Sequence, residues 1–514
     1  MRFEKLVIAG VILVSIFLTK FPTFYHALNT PKNAWFVKQA SWFDAWDVNA
    51  YVSYIRYGER NGMMLVNTYT TIPHSGVFVF QYYTFLGILN RFLHLNPFLL
   101  FHLASIITDI GLILVLYFLA GLFITKLRDR LIIFLLIVLG GGLGWLPWFR
   151  SLSAEVVTPD FNFIKPFNVG HDAFIILLSF LSLGLFYYYL MKKSSKHLIL
   201  AVISGFGAAI FHPYKSLWFG LVGAITAVWR WKEKWHLLQY PFFLSIIFLI
   251  YFSLVYYPFL KNPGFAGIVE QVLPSINIFS LILGFGLLIP FIIWQLFFSK
   301  NKKQELVFIE ICFLTQFFLL FLPVGFARLY IPGIYVCGAI LAYYGMKELI
   351  KGEKIFFASL VAVTAFSTLS TFYVFNSLLH IKATNPYFFL TKNEGEALGF
   401  MSKLPADSGV LSLYRIGNFI PAFTDNKVYF GHFFQTPGGV ETLKKAQIFY
   451  TAMNEEEQRK FISDNYIQYI YYGLEEANLR KQVGLSADNP FPYFSILYRD
   501  NGIILYGISK TDTK

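Results

Sequence analysis

The sequence is poor in charge and in cysteine. Of its 514 residues, 14% are charged and 56% are hydrophobic, whereas soluble proteins average about 25% charged residues. Its two cysteines, Cys312 and Cys337, both lie in apolar runs, so the sequence offers neither a disulfide framework nor a cysteine metal site. Internal repeats, low-complexity segments and a glycine-rich phosphate loop are missing as well. Together these absences exclude a soluble enzyme and a disordered chain.

Aromatic and aliphatic residues are abundant where charged residues are few. Phe (59), Tyr (32) and Trp (10) make up 20% of the chain, and apolar runs of membrane-spanning length recur along it. The first run, 6–19, lacks a cleavage site of small residues, so we interpret it as a retained span and not as a signal peptide. We predict a polytopic α-helical membrane protein with about 11 transmembrane helices. The candidate spans are residues 5–21, 97–125, 131–147, 173–191, 197–212, 215–230, 240–260, 276–298, 306–323, 328–346 and 355–376.

The distribution of basic residues predicts the orientation of these spans. The formal net charge is +13, from 42 Lys and Arg against 29 Asp and Glu. If the N-terminus is cytoplasmic, every inner loop carries basic residues, as the positive-inside rule requires. These residues lie at 126–130, 192–196, 230–234, 300–303 and 347–354. The same orientation places loops 22–96, 148–172, 212–215, 261–275 and 324–327 outside the cytoplasmic membrane, together with the C-terminal tail. The positive charge therefore indicates a membrane topology and not a nucleic-acid partner.

Two outer segments have the composition of folded, water-exposed structure. In the long first outer loop (22–96), residues 47–60 and 77–95 are predicted to form helices at the outer membrane surface. Residues 379–514 are predicted to form a small extracytoplasmic α/β domain, separate from the transmembrane module of residues 1–378. Its helices are expected from 393, over 439–453 and from a capping box at 454, and its strands at 410–414, 427–430, 466–472 and in a hairpin over 494–508.

Two carboxylates, Asp44 and Asp47, stand where the first surface helix should begin. A carboxylate at the outer membrane boundary can act as general base on an acceptor hydroxyl. Asp47 could equally cap the helix, and Asp44 could be a solvated loop acid. Glu155, Asp160 and Asp172 of a later outer loop could add carboxylates or be solvated in the same way. Asp47 is therefore the first candidate for catalysis and Asp44 the second.

Cationic and imidazole side chains fall on the same predicted side of the membrane. Arg328 begins a span, and His171 and His212 lie between spans. Such groups at the outer membrane edge suit an anionic headgroup, above all a phosphate. Taken singly, snorkelling explains Arg328 and a hydrogen bond at a helix end explains each histidine. No metal site is expected, because neither histidine has a second ligand at helical spacing.

Several short motifs follow one another along nearly the whole chain. They are Asp47-Val48-Asn49-Ala50-Tyr51-Val52-Ser53 with Arg56 and Gly62, Tyr69-Thr70 with Pro73-His74, His212-Pro213-Tyr214, Gly417-Asn418-Phe419-Ile420-Pro421-Ala422-Phe423-Thr424 and Val428-Tyr429-Phe430-Gly431-His432. With the arrangement of one span, a long acidic outer loop, many spans and an outer domain, the sequence resembles the GT-C superfamily of membrane glycosyltransferases. Within that superfamily it looks like a group of prokaryotic GT-C-like membrane proteins.

The resemblance implies a sugar donor carried on a polyprenyl phosphate, an acceptor hydroxyl on the outer face and usually inversion at the sugar. It implies that Asp47 is the base, with Asp44 second. The side chains expected to hold the donor phosphate are those of Arg328, His212, Lys215 and His171. Support of the first loop is expected from Tyr51, Arg56, Tyr69 and His74. A reaction that uses a lipid-linked donor is expected to need no cofactor, although some members of the superfamily use a divalent cation.

Three positions depart from the motifs of this group. Ile72 and Lys215 stand where an acid is expected, and Gly170 stands where a proline is expected before His171. These departures weaken a chemical role for His171 and for the surroundings of Ile72, and they leave Asp47 untouched.

Two other functions are compatible with a polytopic membrane protein. A transporter or flippase of lipid-linked substrates should show ionisable residues near the middle of the membrane and often two related halves. Here the ionisable residues lie at loop ends, except for Asp109 in the second span. A non-catalytic scaffold would tolerate Asp47→Asn, whereas a transferase would lose turnover.

Overall fold

The part of the chain before residue 380 is almost entirely helical. The computed structural model describes residues 2–165, 167–230, 234–300 and 303–508, so Lys232 and Lys302 of the predicted inner loops lie outside the described residues. The elements of this part are α1 (Arg2–Leu28), β1 (Ala34–Phe36), α2 (Ala45–Asn61), α3 (Gln81–Leu93), α4 (Pro97–Phe123), α5 (Leu127–Leu139), α6 (Ala154–Val157), α7 (Gly170–Lys192), α8 (Ser195–Phe211), α9 (Lys215–Trp229), α10 (Lys234–Tyr251), α11 (Tyr257–Leu260), α12 (Ala266–Val269), α13 (Ile278–Phe285), α14 (Ile289–Ile293), α15 (Gln304–Leu319), α16 (Ile334–Leu349), α17 (Glu353–Ser367) and α18 (Leu369–Leu379).

Six helical stretches of the described residues are long and apolar enough to cross a membrane. They are Arg2–Leu28, Pro97–Phe123, Gly170–Lys192, His236–Leu260, Ile278–Phe298 and Glu353–Leu379. Large apolar side chains such as Leu13, Ile107 and Leu254 are exposed on them, and in a membrane such side chains face lipid. The chain is thus a helical membrane protein, as predicted. The count of about 11 spans and the orientation stay predictions.

A buried ion pair joins α1 to α4. Lys20 Nζ lies 3.5 Å from Asp109 Oδ2, donates to Ser105 Oγ at 2.7 Å and also donates to the carbonyl oxygen of Phe167. Buried charges inside a membrane bundle have to be paired. The pair therefore accounts for Asp109, the one acid noted inside a predicted span, and it ties the loop before α7 to the first two long helices.

The two predicted surface helices of the first outer loop are present as α2 and α3. They cross at close range because each contributes a glycine: a Cβ on Gly58 would meet the backbone of Thr84, and one on Gly87 would meet the backbone of Ile55. Helix α2 begins after Asp44, whose backbone is left-handed (φ 49°) and whose side chain makes no capping hydrogen bond. Asp47 is therefore not the helix cap considered from the sequence, because it already lies in the first turn.

The C-terminal part, from residue 389, forms a mixed sheet surrounded by helices. Its elements are β2 (Phe389–Thr391), α19 (Lys392–Met401), β3 (Gly409–Leu411), α20 (Tyr414–Gly417), α21 (Ile420–Phe423), β4 (Lys427–Val428), α22 (Gly439–Thr451), α23 (Glu455–Asp464), β5 (Tyr469–Tyr472), α24 (Leu474–Gln482), β6 (Ser495–Asp500) and β7 (Ile503–Gly507). The strand order is β4-β3-β5-β7-β6; β3 is parallel to β4 and β5, and β7 is antiparallel to β5 and β6. The predicted capping box at Asn454 and the 494–508 hairpin are both present.

The first outer loop and the C-terminal part share one hydrophobic core. Strand β1 pairs with β2 in an antiparallel ladder, and side chains of α2 and α3 pack in the same cluster as residues of β3, α21 and β7. Arg56 of α2 reaches Asp425 at 3.1 Å. The C-terminal part is therefore packed directly on the loop that carries Asp44 and Asp47.

Candidate active site

Asp47 is held by a histidine from the C-terminal part. His432 Nε2 lies 2.7 Å from Asp47 Oδ1, and His432 Nδ1 accepts the backbone N–H groups of Phe434 and Gln435 at 3.1 and 3.2 Å. The two accepted bonds place the imidazole proton on Nε2, which therefore donates to the carboxylate. His432 is buried, whereas the Asp47 side chain is 23% exposed. Asp47 Oδ2 has no hydrogen-bond partner among the described residues, so one carboxylate oxygen is oriented and the other is open to a substrate.

Asn418 links the chain on both sides of this pair. Its amide nitrogen donates to the carbonyl oxygens of Trp46 and Gly431, at 3.3 and 3.2 Å, and its Oδ1 accepts from Asn49 Nδ2 at 2.7 Å. Trp46 and Gly431 directly precede Asp47 and His432. Asn418 therefore sets the distance between the two backbones that carry the pair.

Lys165 joins the acids of the outer loops. Its Nζ lies 3.4 Å from Asp44 Oδ2, 3.4 Å from Asp160 Oδ2 and 3.2 Å from Asp172 Oδ2. Burial is the main cause that raises the pKa of Asp160, to about 6, and the nearby Asp172 adds to it. Burial also raises the pKa of Asp44, against the opposing effect of Lys165. The interpretation of Asp160 and Asp172 as solvated acids is therefore wrong, because both side chains are buried against a lysine.

Glu155, the third acid of that loop, is also buried and accepts hydrogen bonds from the protein itself. Its Oε1 accepts the Gly144 N–H at 2.6 Å and the Ser370 hydroxyl at 3.0 Å. The solvated interpretation is wrong for this residue too. Because its bonds join two loop segments to α18, Glu155 is placed to stabilise the fold.

The two histidines singled out in the sequence lie beside the lysine cluster. Tyr83 OH is 2.7 Å from His171 Nδ1, and His171 Nε2 is 3.2 Å from Asp172 Oδ1. The rings of His171 and His212 are 6.2 Å apart. Ligand atoms of His171, Asp172 and His212 lie within 4.8 Å of one another, a spacing compatible with a metal ion. This group could not be predicted from local sequence patterns, because its members come from two helix ends about 40 residues apart.

Several buried polar atoms near His212 have no hydrogen-bond partner among the described residues. They are His212 Nδ1, Tyr214 OH, Lys215 Nζ and Tyr330 OH. Ring contacts connect them, since Tyr214 lies 5.0 Å from His212 and 5.6 Å from Tyr330. Lys215 is fully buried with its Nζ over the Trp218 ring. Unsatisfied buried polar atoms are rare in folded proteins and call for a ligand or another explanation.

An aromatic cavity of about 190 Å³ is lined by two of these residues, His212 and Tyr214. Its polar lining also includes His171, and its walls are mostly rings from α3, α8 and α10 and from the π-helical segment Phe252–Tyr256 that follows α10. Arg328 lies on a 3-10 turn, Ala327–Tyr330, next to the lining residue Leu329. Its guanidinium makes no hydrogen bond to the described residues, and its charge acts on Asp44. The cavity thus combines apolar and aromatic walls with imidazole and hydroxyl groups.

The structure brings most of the predicted site residues together. Tyr51 stacks on Tyr83 at 4.5 Å and meets His171 edge-on, and Tyr69 packs against His432 and donates to the Asn418 carbonyl at 3.0 Å.

Two predicted support residues act elsewhere in the first loop. Arg56 bonds to the C-terminal part through the Thr424 carbonyl and Asp425. His74 closes its own loop, with Nε2 accepting the Asn67 N–H at 2.9 Å and Nδ1 donating to the Ile72 carbonyl at 2.8 Å. Both residues therefore shape the loop, and neither bonds to Asp44 or Asp47.

Sequence reasoning missed Lys165, His432 and Asn418 as site residues. His432 and Asn418 stand in the motifs quoted for the tail, and that was the one signal available for them. Lys165 lies in no such motif, and nothing in its neighbours indicates that three acids converge on it.

No protein-family model matches the chain, and no curated protein does. Solved structures are similar to it. The Archaeoglobus fulgidus oligosaccharyltransferase in the apo form has a TM-score of 0.57 and 15% identity, over 99% of this chain and 75% of that one. The same protein, AglB, with an inhibitory peptide and a dolichol-phosphate has a TM-score of 0.54 and 14% identity, over 99% and 74%. ArnT from Cupriavidus metallidurans bound to undecaprenyl phosphate has a TM-score of 0.54 and 12% identity, over 100% and 98%.

Both neighbours are GT-C superfamily glycosyltransferases. The chain therefore has the GT-C fold, and the resemblance seen in its motifs is confirmed at the level of the fold. At identities of 12–15% the likeness does not extend to the reaction.

Proposed function

We propose that the protein transfers a sugar from a polyprenyl-phosphate donor to an acceptor hydroxyl at the outer face of the cytoplasmic membrane. The observation that carries the proposal is a half-open carboxylate, Asp47, oriented by the buried His432, in a fold that also holds a cavity lined by His171, His212 and Tyr214. The GT-C fold supports it, because the two neighbours were solved with dolichol-phosphate and undecaprenyl phosphate.

Asp47 is the general base in this proposal. Its open oxygen, Oδ2, accepts the proton of the acceptor hydroxyl while that hydroxyl oxygen forms a bond to the anomeric carbon. The bond from the anomeric carbon to the phosphate oxygen breaks, and the lipid phosphate leaves as an anion. The Nε2–H of His432 keeps the carboxylate turned toward the acceptor, so His432 is a positioning residue. Asp44 does not act as a second base, because its carboxylate is in an ion pair with Lys165.

Cations and hydroxyl groups hold the donor phosphate. Lys215 Nζ, His212 Nδ1 and Tyr214 OH are buried without partners, and an anion would satisfy all three groups. Arg328 directly precedes the cavity-lining residue Leu329, and His171 lines the cavity wall. Negative charge develops on the phosphate as the sugar leaves, so fixed cations there favour the transition state more than the bound donor.

The topology of the proposal follows the predicted orientation. The N-terminus is cytoplasmic, residues 1–378 form the transmembrane module with its first loop outside, and residues 379–514 form the extracytoplasmic domain that supplies His432. The reaction uses no cofactor, because the leaving group is already activated as a phosphate ester.

The test uses the full chain in nanodiscs with undecaprenyl phosphate as the probe. Lys215→Met should weaken binding of this lipid about 10-fold or more, the loss expected for a hydrogen bond to a charged group, whereas Asp47→Asn should bind it normally. With membrane-derived polyprenyl-phosphate sugars and envelope acceptors, wild type should release polyprenyl phosphate and Asp47→Asn should not. Movement of the lipid-linked sugar without release would favour a flippase, and equal behaviour of wild type and Asp47→Asn would favour a scaffold.

A further inference from the structure

Lys165 occupies the point on which three carboxylates converge. The ammonium contacts Asp44, Asp160 and Asp172 at 3.2–3.4 Å, and its side chain is 10% exposed. Carboxylate oxygens gathered around one point are the ligands that hard divalent cations prefer. Here a side chain of the protein supplies the positive charge at that point.

The charges around this point do not suit an additional divalent cation. Burial alone would lower the pKa of Lys165, yet the carboxylates of Asp160, Asp172 and Asp44 raise it well above its usual value, so the ammonium keeps its proton. The positive charge of Arg328 also acts on Asp44. The Lys165 ammonium thus already occupies the point between the three carboxylates at which a divalent cation would have to bind.

The neighbouring histidines do not complete a metal site either. Among the described residues, Asp172 is the one carboxylate grouped with His171 and His212, and it is already paired with Lys165. His171 is engaged at both nitrogens, by Tyr83 and by Asp172. A metal ion at these ligands would have to displace the Lys165 ammonium.

The backbone around Lys165 is anchored by hydrogen bonds at two points. The Lys165 carbonyl oxygen accepts the N–H groups of Asn168 and Val169, at 2.8 and 3.1 Å, which joins it to the start of α7. The carbonyl of Phe167, two residues on, accepts from Lys20 of the buried α1–α4 pair. The backbone that carries the Lys165 side chain is therefore tied to the start of α7 and, through Phe167, to Lys20 of α1.

We propose that the ε-ammonium of Lys165 is the permanent cation of this centre and takes the place of a divalent metal ion. The Archaeoglobus fulgidus oligosaccharyltransferase, which shares the fold, was solved in complex with Zn and sulfate. In this chain Lys165 is a positioning residue that neutralises the carboxylates of Asp44, Asp160 and Asp172. Metal binding is measured without turnover, so the proposal holds or fails separately from glycosyl transfer.

The experiment measures metal bound to the full chain in nanodiscs. Wild type, Lys165→Ala and the matched control Lys165→Arg are incubated with Mn²⁺, desalted and analysed for metal content, and melting temperatures are recorded with and without Mn²⁺. Wild type and Lys165→Arg should retain substoichiometric Mn²⁺ and melt at the same temperature with or without it. Lys165→Ala frees three carboxylates and should retain Mn²⁺ at a ratio near one per chain. This variant should also melt at a higher temperature with Mn²⁺ than without it.

Two results would overturn the proposal. One is stoichiometric Mn²⁺ in wild type, whether it is removed by Asp160→Asn, which places the metal at the carboxylates, or by His212→Ala, which places it at the histidines. The other is a folded Lys165→Ala that gains no Mn²⁺. If Lys165→Ala does not fold, the wild-type metal content with these two variants still decides the question.

Discussion

The protein holds two groups of acidic side chains that are built in opposite ways. Asp47 stands apart from other acids in its hydrogen bonding, is partly exposed and is oriented by one neutral histidine. Asp44, Asp160 and Asp172 are clustered around a lysine, and Asp160 and Asp172 are almost fully buried. An acid that must accept a proton needs an open oxygen, whereas acids that hold a structure or a charge need partners for their oxygens. The difference separates the proposed base from the carboxylates that surround it.

The largest effect is expected from the exposed acid. Asp47→Asn removes the base and should lower turnover by about 10²- to 10⁴-fold, with binding of undecaprenyl phosphate and the melting temperature unchanged. The measurement is release of polyprenyl phosphate by the full chain in nanodiscs. Asp407→Asn is the matched control, because Asp407 is exposed and pairs only with Arg60, and it should keep wild-type turnover. Equal loss in both variants would contradict the role of Asp47.

Removal of the cation from the acid cluster should lower the stability of the protein. Lys165→Met keeps the side-chain length and leaves three buried carboxylates without their cation, so we expect about 3–5 kcal/mol less free energy of unfolding, as for other broken buried ion pairs. Thermal unfolding in detergent checks this, with Lys165→Arg as the variant that keeps the charge. A melting temperature of Lys165→Met equal to that of wild type would show that the cluster does not need its ammonium.

Substitution of His432 tests whether the contact between the C-terminal part and Asp47 of α2 matters for turnover. His432→Asn should lower turnover about 100-fold, because a base displaced by as little as 1 Å loses its alignment with the acceptor. Donor binding should stay normal, since His432 lies on the Asp47 side of the site. His94→Asn is the control: this histidine is exposed at the end of α3 in a left-handed conformation that Asn also adopts. A drop in lipid binding in place of turnover would assign His432 to the donor side.

The smallest effect is a pH dependence of stability. Burial raises the pKa of Asp160 to about 6 in the folded protein, above its unfolded value of about 3.9. The folded state then binds the proton more tightly, so the stability that Asp160 contributes is present below about pH 4 and lost as pH rises to 6. The melting temperature of wild type should therefore fall by a few degrees relative to Asp160→Asn across this window. Parallel curves for the two proteins would contradict the raised pKa.

Local patterns predicted much of the fold. The Asn454–Glu457 capping box is a four-residue signal and needs no tertiary information, and the same is true of the apolar runs that became α4 and α7. The surface helix α2 was predicted within two residues at its beginning, because its apolar face repeats at helical spacing. Each of these features is determined by neighbours in sequence.

Partners distant in sequence could not be predicted in this way. His432 and Asp47 are 385 positions apart, and no periodicity relates them. Asp160 and Asp172 read as solvated loop acids because the loop that carries them is polar in sequence, whereas its burial comes from α1, α4 and α18 packed around it. Asp47 itself was found because it stands at a helix start beside the membrane, a local signal.

The 385-residue separation of Asp47 from His432 also has a consequence in time. At about 5–20 residues per second, a ribosome that has just made the first outer loop needs roughly 20–80 s before it makes His432. During that interval the apolar helices can already enter the bilayer, while Asp47 has no histidine to orient it. Under the proposed mechanism a growing chain is therefore inactive through most of its synthesis and becomes active only when the C-terminal part docks on α2.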